Sequence, residues 1–127
     1  EVAGAFGVSE HHLTKVVHFL GKSGWLSNLR GKGGGMQLAL APEDIVVGQV
    51  VRATEGVDLP AECFATEHDQ CPITKSCRLK GVLGEAVKAF YATLGKYTLE
   101  DTVKNRKALG KVLFMVPPPP PSTRKRA

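Results

Sequence analysis

Trp25-Leu26-Ser27-Asn28-Leu29-Arg30-Gly31-Lys32-Gly33-Gly34-Gly35-Met36-Gln37-Leu38-Ala39-Leu40 is the stretch whose reading decides the fold. Its first five residues suit a strand, the glycine-rich run 31–35 suits a flexible turn, and 36–40 alternates apolar and polar residues as a half-buried strand does. The pattern predicts a β-hairpin. What precedes it gives the hairpin its meaning. Residues 1–6 read as the end of a short helix, and Gly7-Val8-Ser9 as a tight turn. Ser9 is a good helix N-cap, because its hydroxyl can accept a backbone N–H that the first turn leaves unpaired. Leu13, Val16, Val17 and Leu20 then recur at helical spacing, and Gly21 and Gly24 stop the helix. Helix, turn, helix and hairpin in that order predict a winged helix-turn-helix.

Outward from this core the pattern changes. Pro42 opens a new segment in which Glu43 and Asp44 occupy the first turn of a predicted helix, where acids favour the positive dipole end. Ile45, Val46, Gly48, Val50 and Val51 carry its apolar side. Residues 54–77 keep no steady period and read as a loop that holds every cysteine of the chain. From Arg78, Leu79, Val82, Leu83, Ala86, Val87, Phe90, Tyr91 and Leu94 repeat at three and four residues, which predicts a long helix ended by Gly95. That apolar stripe is broader than a small winged domain needs to cover and suits pairing with a second copy of the chain. Thr98-Leu99-Glu100-Asp101 has the pattern of a cap opening a short final helix. Pro117 to Pro121, followed by Ser-Thr-Arg-Lys-Arg-Ala, reads as a disordered basic tail.

The expected fold is therefore mostly α with a small β-hairpin wing, a winged helix-turn-helix plus a long dimerisation helix. The expected organisation is a DNA-binding winged helix-turn-helix over 1–53, a cysteine loop over 54–77, the dimerisation helix and short terminal helix over 78–110, and a proline-rich basic tail over 111–127. A winged helix needs a first helix to complete its core, and none precedes Glu1. The reading expects a chain that opens inside its first domain.

A chain of 127 residues is long enough for one domain with a modest core. No apolar run reaches the length of a membrane span and no signal peptide opens the sequence, so the expected location is the cytoplasm and no membrane partner is expected. The formal charge of +5 is uneven. Residues 41–70 carry seven acids and one base, Arg52, whereas 71–127 carry twelve bases and three acids. A basic excess suits a polyanion such as double-stranded DNA. No nucleophile elbow, HExxH run or kinase-type loop is present, which argues against an enzyme.

Two groups of residues carry chemistry. Cys63, Cys71 and Cys77 are spaced by eight and six positions along one loop with polar neighbours. Zinc sites usually show a two-to-four-residue cysteine knuckle, and none exists here. Three thiolates on a flexible loop can instead hold one face of an iron–sulfur cluster, with His68 or Asp69 or a residue from another part of a dimer as fourth ligand. Spacing leaves open the alternative of three thiols with no metal. The second group is the DNA-reading surface. With Ser9 as cap, Glu10, His11, His12, Thr14 and Lys15 lie in the first turns of the recognition helix, the end that enters a major groove. His11, His12 and Lys15 can donate to base edges or phosphates, and Ser9 and Thr14 can bind phosphate oxygens. Arg30 and Lys32 sit on the wing, where an arginine can enter a narrow minor groove. His18 falls on the same helix and reads as structural.

Val8-Ser9, Leu13, Val16-Val17, Leu20, Gly24, Ser27, Arg30-Gly31, Gly34-Gly35, Leu38, Pro42-Glu43 and Ile45 together resemble the Rrf family of winged-helix transcriptional regulators. The three cysteines follow Glu55-Gly56, where cluster-binding members of that family carry theirs. The resemblance spans about residues 1–105. Within the family, His12-Leu13-Thr14-Lys15-Val16-Val17, Leu20-Gly21, Gly24 and Arg30-Gly31-Lys32 are most similar to the nitric-oxide-sensitive repressor branch. The resemblance implies a homodimer that binds an operator in double-stranded DNA and carries a 2Fe-2S or 4Fe-4S cluster on Cys63, Cys71 and Cys77. It implies nitric oxide as the signal and nitrogen-oxide detoxification genes as targets. Another branch places a histidine ligand three residues after the last cysteine, and here that position is Lys80. In the nitric-oxide-sensitive branch the fourth ligand can be an acid near the N-terminus of the partner chain, ahead of the position of Glu1. The competing functions are a regulator that reports iron supply or redox state and, in a different class, an iron–sulfur carrier or electron-transfer protein.

Overall fold

The computed structural model describes residues 2–56, 60–65, 67 and 69–114. Glu1, His68 and the proline-rich tail lie outside the described residues. The chain divides into two compact units, one made of residues 1–41 with 103–127 and the other of residues 42–102.

The first unit holds α1 (Val2–Phe6), α2 (Glu10–Lys22), β1 (Leu26–Leu29), β2 (Gly35–Leu38) and α6 (Arg106–Phe114). Ser9 adopts extended backbone angles, and its hydroxyl accepts the His12 N–H at 3.3 Å, so the predicted cap starts α2. Leu13, Val16, Val17 and Leu20 form the half-buried side of that helix, as their spacing requires. Its end is a Schellman turn. Trp25 donates to the Leu20 carbonyl and Gly24, at φ +86°, donates to that of Gly21. β1 and β2 pair antiparallel with Leu26 opposite Leu38 and Leu29 opposite Gly35, which is the predicted hairpin. Its turn places Gly31 and Gly33 at φ +102° and +80°. Gly34 sits where a Cβ would collide with the Leu29 carbonyl oxygen and lie 2.8 Å from that of Gly31. Only glycine fits there. One expectation changes: every residue of β2 is exposed rather than half-buried. In a two-stranded sheet α2 packs beside β1, and β2 is the outer strand. α6 contacts α1 within this unit and runs through Phe114, beyond the point at which the sequence begins the tail.

The second unit holds a 3-10 turn (Pro42–Asp44), α3 (Val47–Glu55), a second 3-10 turn (Glu62–Phe64), α4 (Arg78–Leu94) and α5 (Leu99–Thr102). The single helix expected from Pro42 is broken at Ile45 and Val46. Their backbone is used elsewhere: Val47 donates to the Tyr97 carbonyl at 2.9 Å, Leu99 donates to that of Ile45 at 2.8 Å, and Val46 bridges Thr98 antiparallel. Ile45, 4 % exposed, is the core residue at this tie. Directly after it, Gly48 brings α3 against the end of α4. A Cβ there would lie 2.9 Å from the Gly95 nitrogen and 3.1 Å from the Leu94 carbonyl carbon. Thr98 caps α5 as its pattern predicts, with the Asp101 carboxylate accepting the Thr98 N–H at 2.9 Å and its hydroxyl at 3.1 Å. α4 spans the predicted residues and splits its apolar stripe. Leu83, Val87, Tyr91 and Leu94 are half-buried on the side that meets α3, while Leu79, Val82 and Phe90 remain 61 %, 60 % and 54 % exposed. Arg52 of α3 lies 3.9 Å over the Tyr91 ring, a cation–π contact between the two helices.

Two glycine substitutions should move stability in opposite directions. Gly48→Ala drives a methyl into backbone that cannot yield and should cost about 1–3 kcal/mol. Gly81→Ala, in α4 with open space around its Cβ position, should gain up to about 1 kcal/mol from helix propensity. Urea unfolding at one fixed protein concentration measures both; equal signs would refute the close approach at Gly48.

Candidate nucleic-acid interface and cysteine site

The exposed side of α2 is built by helical spacing. Glu10, His11, His12, Thr14 and Lys15 are all exposed, as a DNA-reading surface requires, but their side chains are not equivalent. The Thr14 hydroxyl donates back to the Glu10 carbonyl at 3.0 Å, so its hydrogen is committed to the helix. The Ser9 hydroxyl oxygen is likewise engaged as the cap. His11, Lys15, His18 and Lys22 follow each other at four, three and four residues and are all exposed, so they form one row along the helix. His18 and Lys22 continue this row beyond the contacts expected from the sequence. Extending the four-and-three spacing from His11 and Lys15 by two further steps would have found them. His18, read from the sequence as structural, is exposed.

Arg30 and Lys32 stand at the tip of the wing, both exposed, on a turn narrowed by glycines and closed by the Gly34 N–H donating to the Gly31 carbonyl at 2.9 Å. A row of imidazoles and ammonium groups on a helix, and a slim basic loop in the same unit, can each contact phosphates and base edges. Lysine and arginine supply the salt-dependent part, and bidentate arginine supplies the specific part.

The cysteine site lies wholly in the second unit. Cys63 sits inside the 3-10 turn, Cys71 opens a run of turns over 72–76, and Cys77 is the extended residue from which α4 starts. All three are free thiols and half-buried. The turn at Cys71 is fixed by Asp69, whose Oδ1 accepts the Cys71 N–H at 3.1 Å and the Thr74 hydroxyl at 2.9 Å. One carboxylate oxygen of this fourth-ligand candidate is therefore committed to the turn, and any ligand role falls to the other. Lys80, at the position where another branch of the resembled family carries a histidine, holds its ammonium 5.7 Å from the centre of the Phe64 ring.

The donor set fits an iron–sulfur cluster in kind, because soft thiolates are the ligands such irons take and these three are unpaired and reachable from solvent. The structure brings them onto one loop but not to one point: among the described residues no three histidine, cysteine, aspartate or glutamate side chains form a metal-holding group.

Comparison with known proteins adds the following. The Rrf2 family model, described as an iron-dependent transcriptional regulator, matches residues 1–105. The HTH-type transcriptional regulator NsrR of Geobacillus kaustophilus is 45 % identical over 113 residues, which cover 89 % of this chain and 77 % of that protein. The protein of the same name from Bacillus subtilis is 44 % identical over 115 residues, covering 91 % and 79 %. Among solved structures, T. potens IscR is 29 % identical with a TM-score of 0.60, covering 84 % of this chain and 68 % of that one.

If the wing and the helix row both meet DNA, their contributions should be separable. With a duplex selected from a random-sequence pool on the wild-type protein, Arg30→Ala should cost about 1–3 kcal/mol and relax preference at one position. Lys22→Ala should weaken all sequences alike and reduce the salt slope by about 1. Fluorescence anisotropy across a salt series reads both, and an Arg30→Ala protein with wild-type affinity would remove the wing from the interface.

Proposed function

The chain belongs to the Rrf2 family of transcriptional regulators, and from that premise we propose that it is a DNA-binding repressor whose operator affinity depends on an iron–sulfur cluster held by Cys63, Cys71 and Cys77. Nitric oxide is the proposed signal. The observation that carries this reading is the set of three free, half-buried thiols on the loop directly ahead of α4, in the same chain as a winged helix-turn-helix. A carrier or electron-transfer protein has no use for an exposed basic row on α2 or for a basic wing.

When bound, the cluster supplies iron that nitric oxide can ligate in place of thiolate. The chain's own residues do the rest. Cys63, Cys71 and Cys77 bind through their sulfurs, and Asp69 holds the turn that presents Cys71. Without the sulfur bonds the described residues of this loop would keep the Asp69 turn at Cys71 and the contact of Phe64 with α4. Operator release follows if the loop favours one arrangement of the protein over another, since a signal shifts an equilibrium only by its differential affinity for the two states. The resemblance to the nitric-oxide-sensitive branch and the relatives' shared name support nitric oxide. Lys80 supports it also, because a lysine turned onto Phe64 takes the place of the histidine ligand used by the other branch. The family description and the likeness to IscR favour a second reading, in which the cluster reports iron supply.

Reconstituted anaerobically, the protein should be coloured and bind the selected duplex, and stoichiometric nitric oxide should lower that affinity at least tenfold, the scale of a typical coupling. Release by an iron chelator with no response to nitric oxide would replace the first reading by the second. A colourless protein, or a Cys71→Ala variant that keeps both colour and release, would overturn both.

The open side of α4 is the proposed homodimer face. Leu79, Val82, Ala86 and Phe90 fall at intervals of three, four and four residues and are exposed together, the spacing by which one helix packs along another. Val82→Glu places a charge in that seam. It should give a monomer by sedimentation and lose cooperative binding to a two-half-site duplex, whereas Lys88→Glu on another side of α4 should remain a dimer.

A further inference from the structure

The 3-10 turn that carries Cys63 is too short to hold itself in place. Among the described residues its backbone hydrogen bonds run from Phe64 N–H to the Ala61 carbonyl at 3.1 Å and from Ala65 N–H to that of Glu62 at 2.9 Å. Its anchor is the ring of Phe64, half-buried against α4 at Gly84. A Cβ at Gly84 would lie 3.4 Å from Cε1 and 3.8 Å from Cζ of that ring, ordinary contact distances, so the ring lies directly over this glycine and any side chain longer than alanine would contend with it. Lys80, one helical turn earlier, closes the seat with its ammonium over the ring. At Gly81 of the same helix no neighbour stands within 4 Å of the Cβ position.

We infer that Phe64 is a positioning residue that ties Cys63 to α4 through the Gly84 seat, and so makes this helix sensitive to whether Cys63 is held. The inference rests on the proposed function and names the part of the chain that receives the signal. Cys77 is joined to α4 as the residue before its first turn, and Cys71 is fastened locally by Asp69. Among the described residues, Cys63 is joined to α4 through its neighbour's ring, with Pro60 of the same segment lining a cavity beside Leu83 and Val87 of that helix. With Phe64 seated, two of the three sulfurs are attached to one rigid helix, and binding at one end restrains the loop at the other. By reciprocity, whatever holds α4 in place also favours the loop arrangement that binds. The helix that receives this restraint carries the open apolar row of Leu79, Val82 and Phe90.

Gly84→Leu tests the seat in the full-length protein. It fills the slot, expels the ring, removes no sulfur and improves helix propensity, so urea unfolding should show no loss of stability. Phe64→Ala removes the ring directly. In the metal-free protein, maleimide labelling followed by peptide mapping should show Cys63 reacting several-fold faster in both variants, with Cys71 at its wild-type rate. In the reconstituted protein, Gly84→Leu should take up the cluster, seen by visible absorption, yet the ratio of duplex affinities before and after nitric oxide should fall about tenfold toward unity. Unchanged Cys63 labelling, or a variant that keeps the wild-type ratio, overturns the inference. A wild-type protein with no such ratio overturns instead the function proposed above, and the labelling rates still decide whether Phe64 seats Cys63.

Discussion

Two backbone hydrogen bonds, from Val47 to Tyr97 and from Leu99 to Ile45, hold the second unit together. They join the chain just before α3 to the chain just after α4 and convert everything between into a closed loop. The cysteines lie inside that loop. Closing a long loop is entropically unfavourable, though the cost grows slowly with length. Here it is offset at one place, where Ile45 is buried, Gly48 and Gly95 allow the two helices to touch, and Thr98 and Asp101 cap each other. With both ends fixed, α3 and α4 pack along one apolar side, and the connection between them needs no core of its own.

The elements of the fold were legible because each is written locally. Ser9 and its helical row, Gly24, the glycine turn of the wing, the stripe from Leu79 to Leu94 and the Thr98 cap are all local signals, and each became the element it implied. What the sequence could not show was pairing at a distance. Ile45 and Val46 look like the continuation of a helix begun at Pro42, because acids at 43 and 44 and apolar residues at 45, 46, 50 and 51 fit helical spacing. The backbone of residues 45 and 47 is instead spent on residues 99 and 97. β2 shows the same limit from the other direction. Its alternation suggests a buried face, yet a strand gains burial only from what packs on it.

The candidate site divides along the same line. The cysteines, the wing bases and the first turns of α2 could be named from residue type and spacing. Their inequality could not. Thr14 spends its hydroxyl on Glu10, Asp69 spends an oxygen on Cys71 and Thr74, and Lys80 turns onto an aromatic ring. Each is a choice among several available partners, settled by geometry that a linear pattern does not contain. Phe64 and Gly84 are separated in sequence by the stretch that carries Cys71 and Cys77 and by the start of α4, and neither belongs to any recognisable spacing. Their meeting is visible only once α4 is a helix and the 3-10 turn lies against it.

The way the cysteines are fastened bears on how such a site could report a signal. A sensor loop must be ordered enough to gather its ligands and loose enough to change when they are lost. Here the order is distributed: a helix start at Cys77, an aspartate-closed turn at Cys71 and a seated ring beside Cys63. None is a buried core: the Asp69 turn rests on hydrogen bonds worth about 1 kcal/mol each, Cys77 makes no side-chain cap bond, and the ring is half-buried. Three separate weak anchors allow the sulfurs to be drawn together or released without unfolding α3 or α4, whose ends are secured by the Ile45–Leu99 tie. That tie lies within a few residues of both places where the chain passes between the two units, at 41–42 and 102–103.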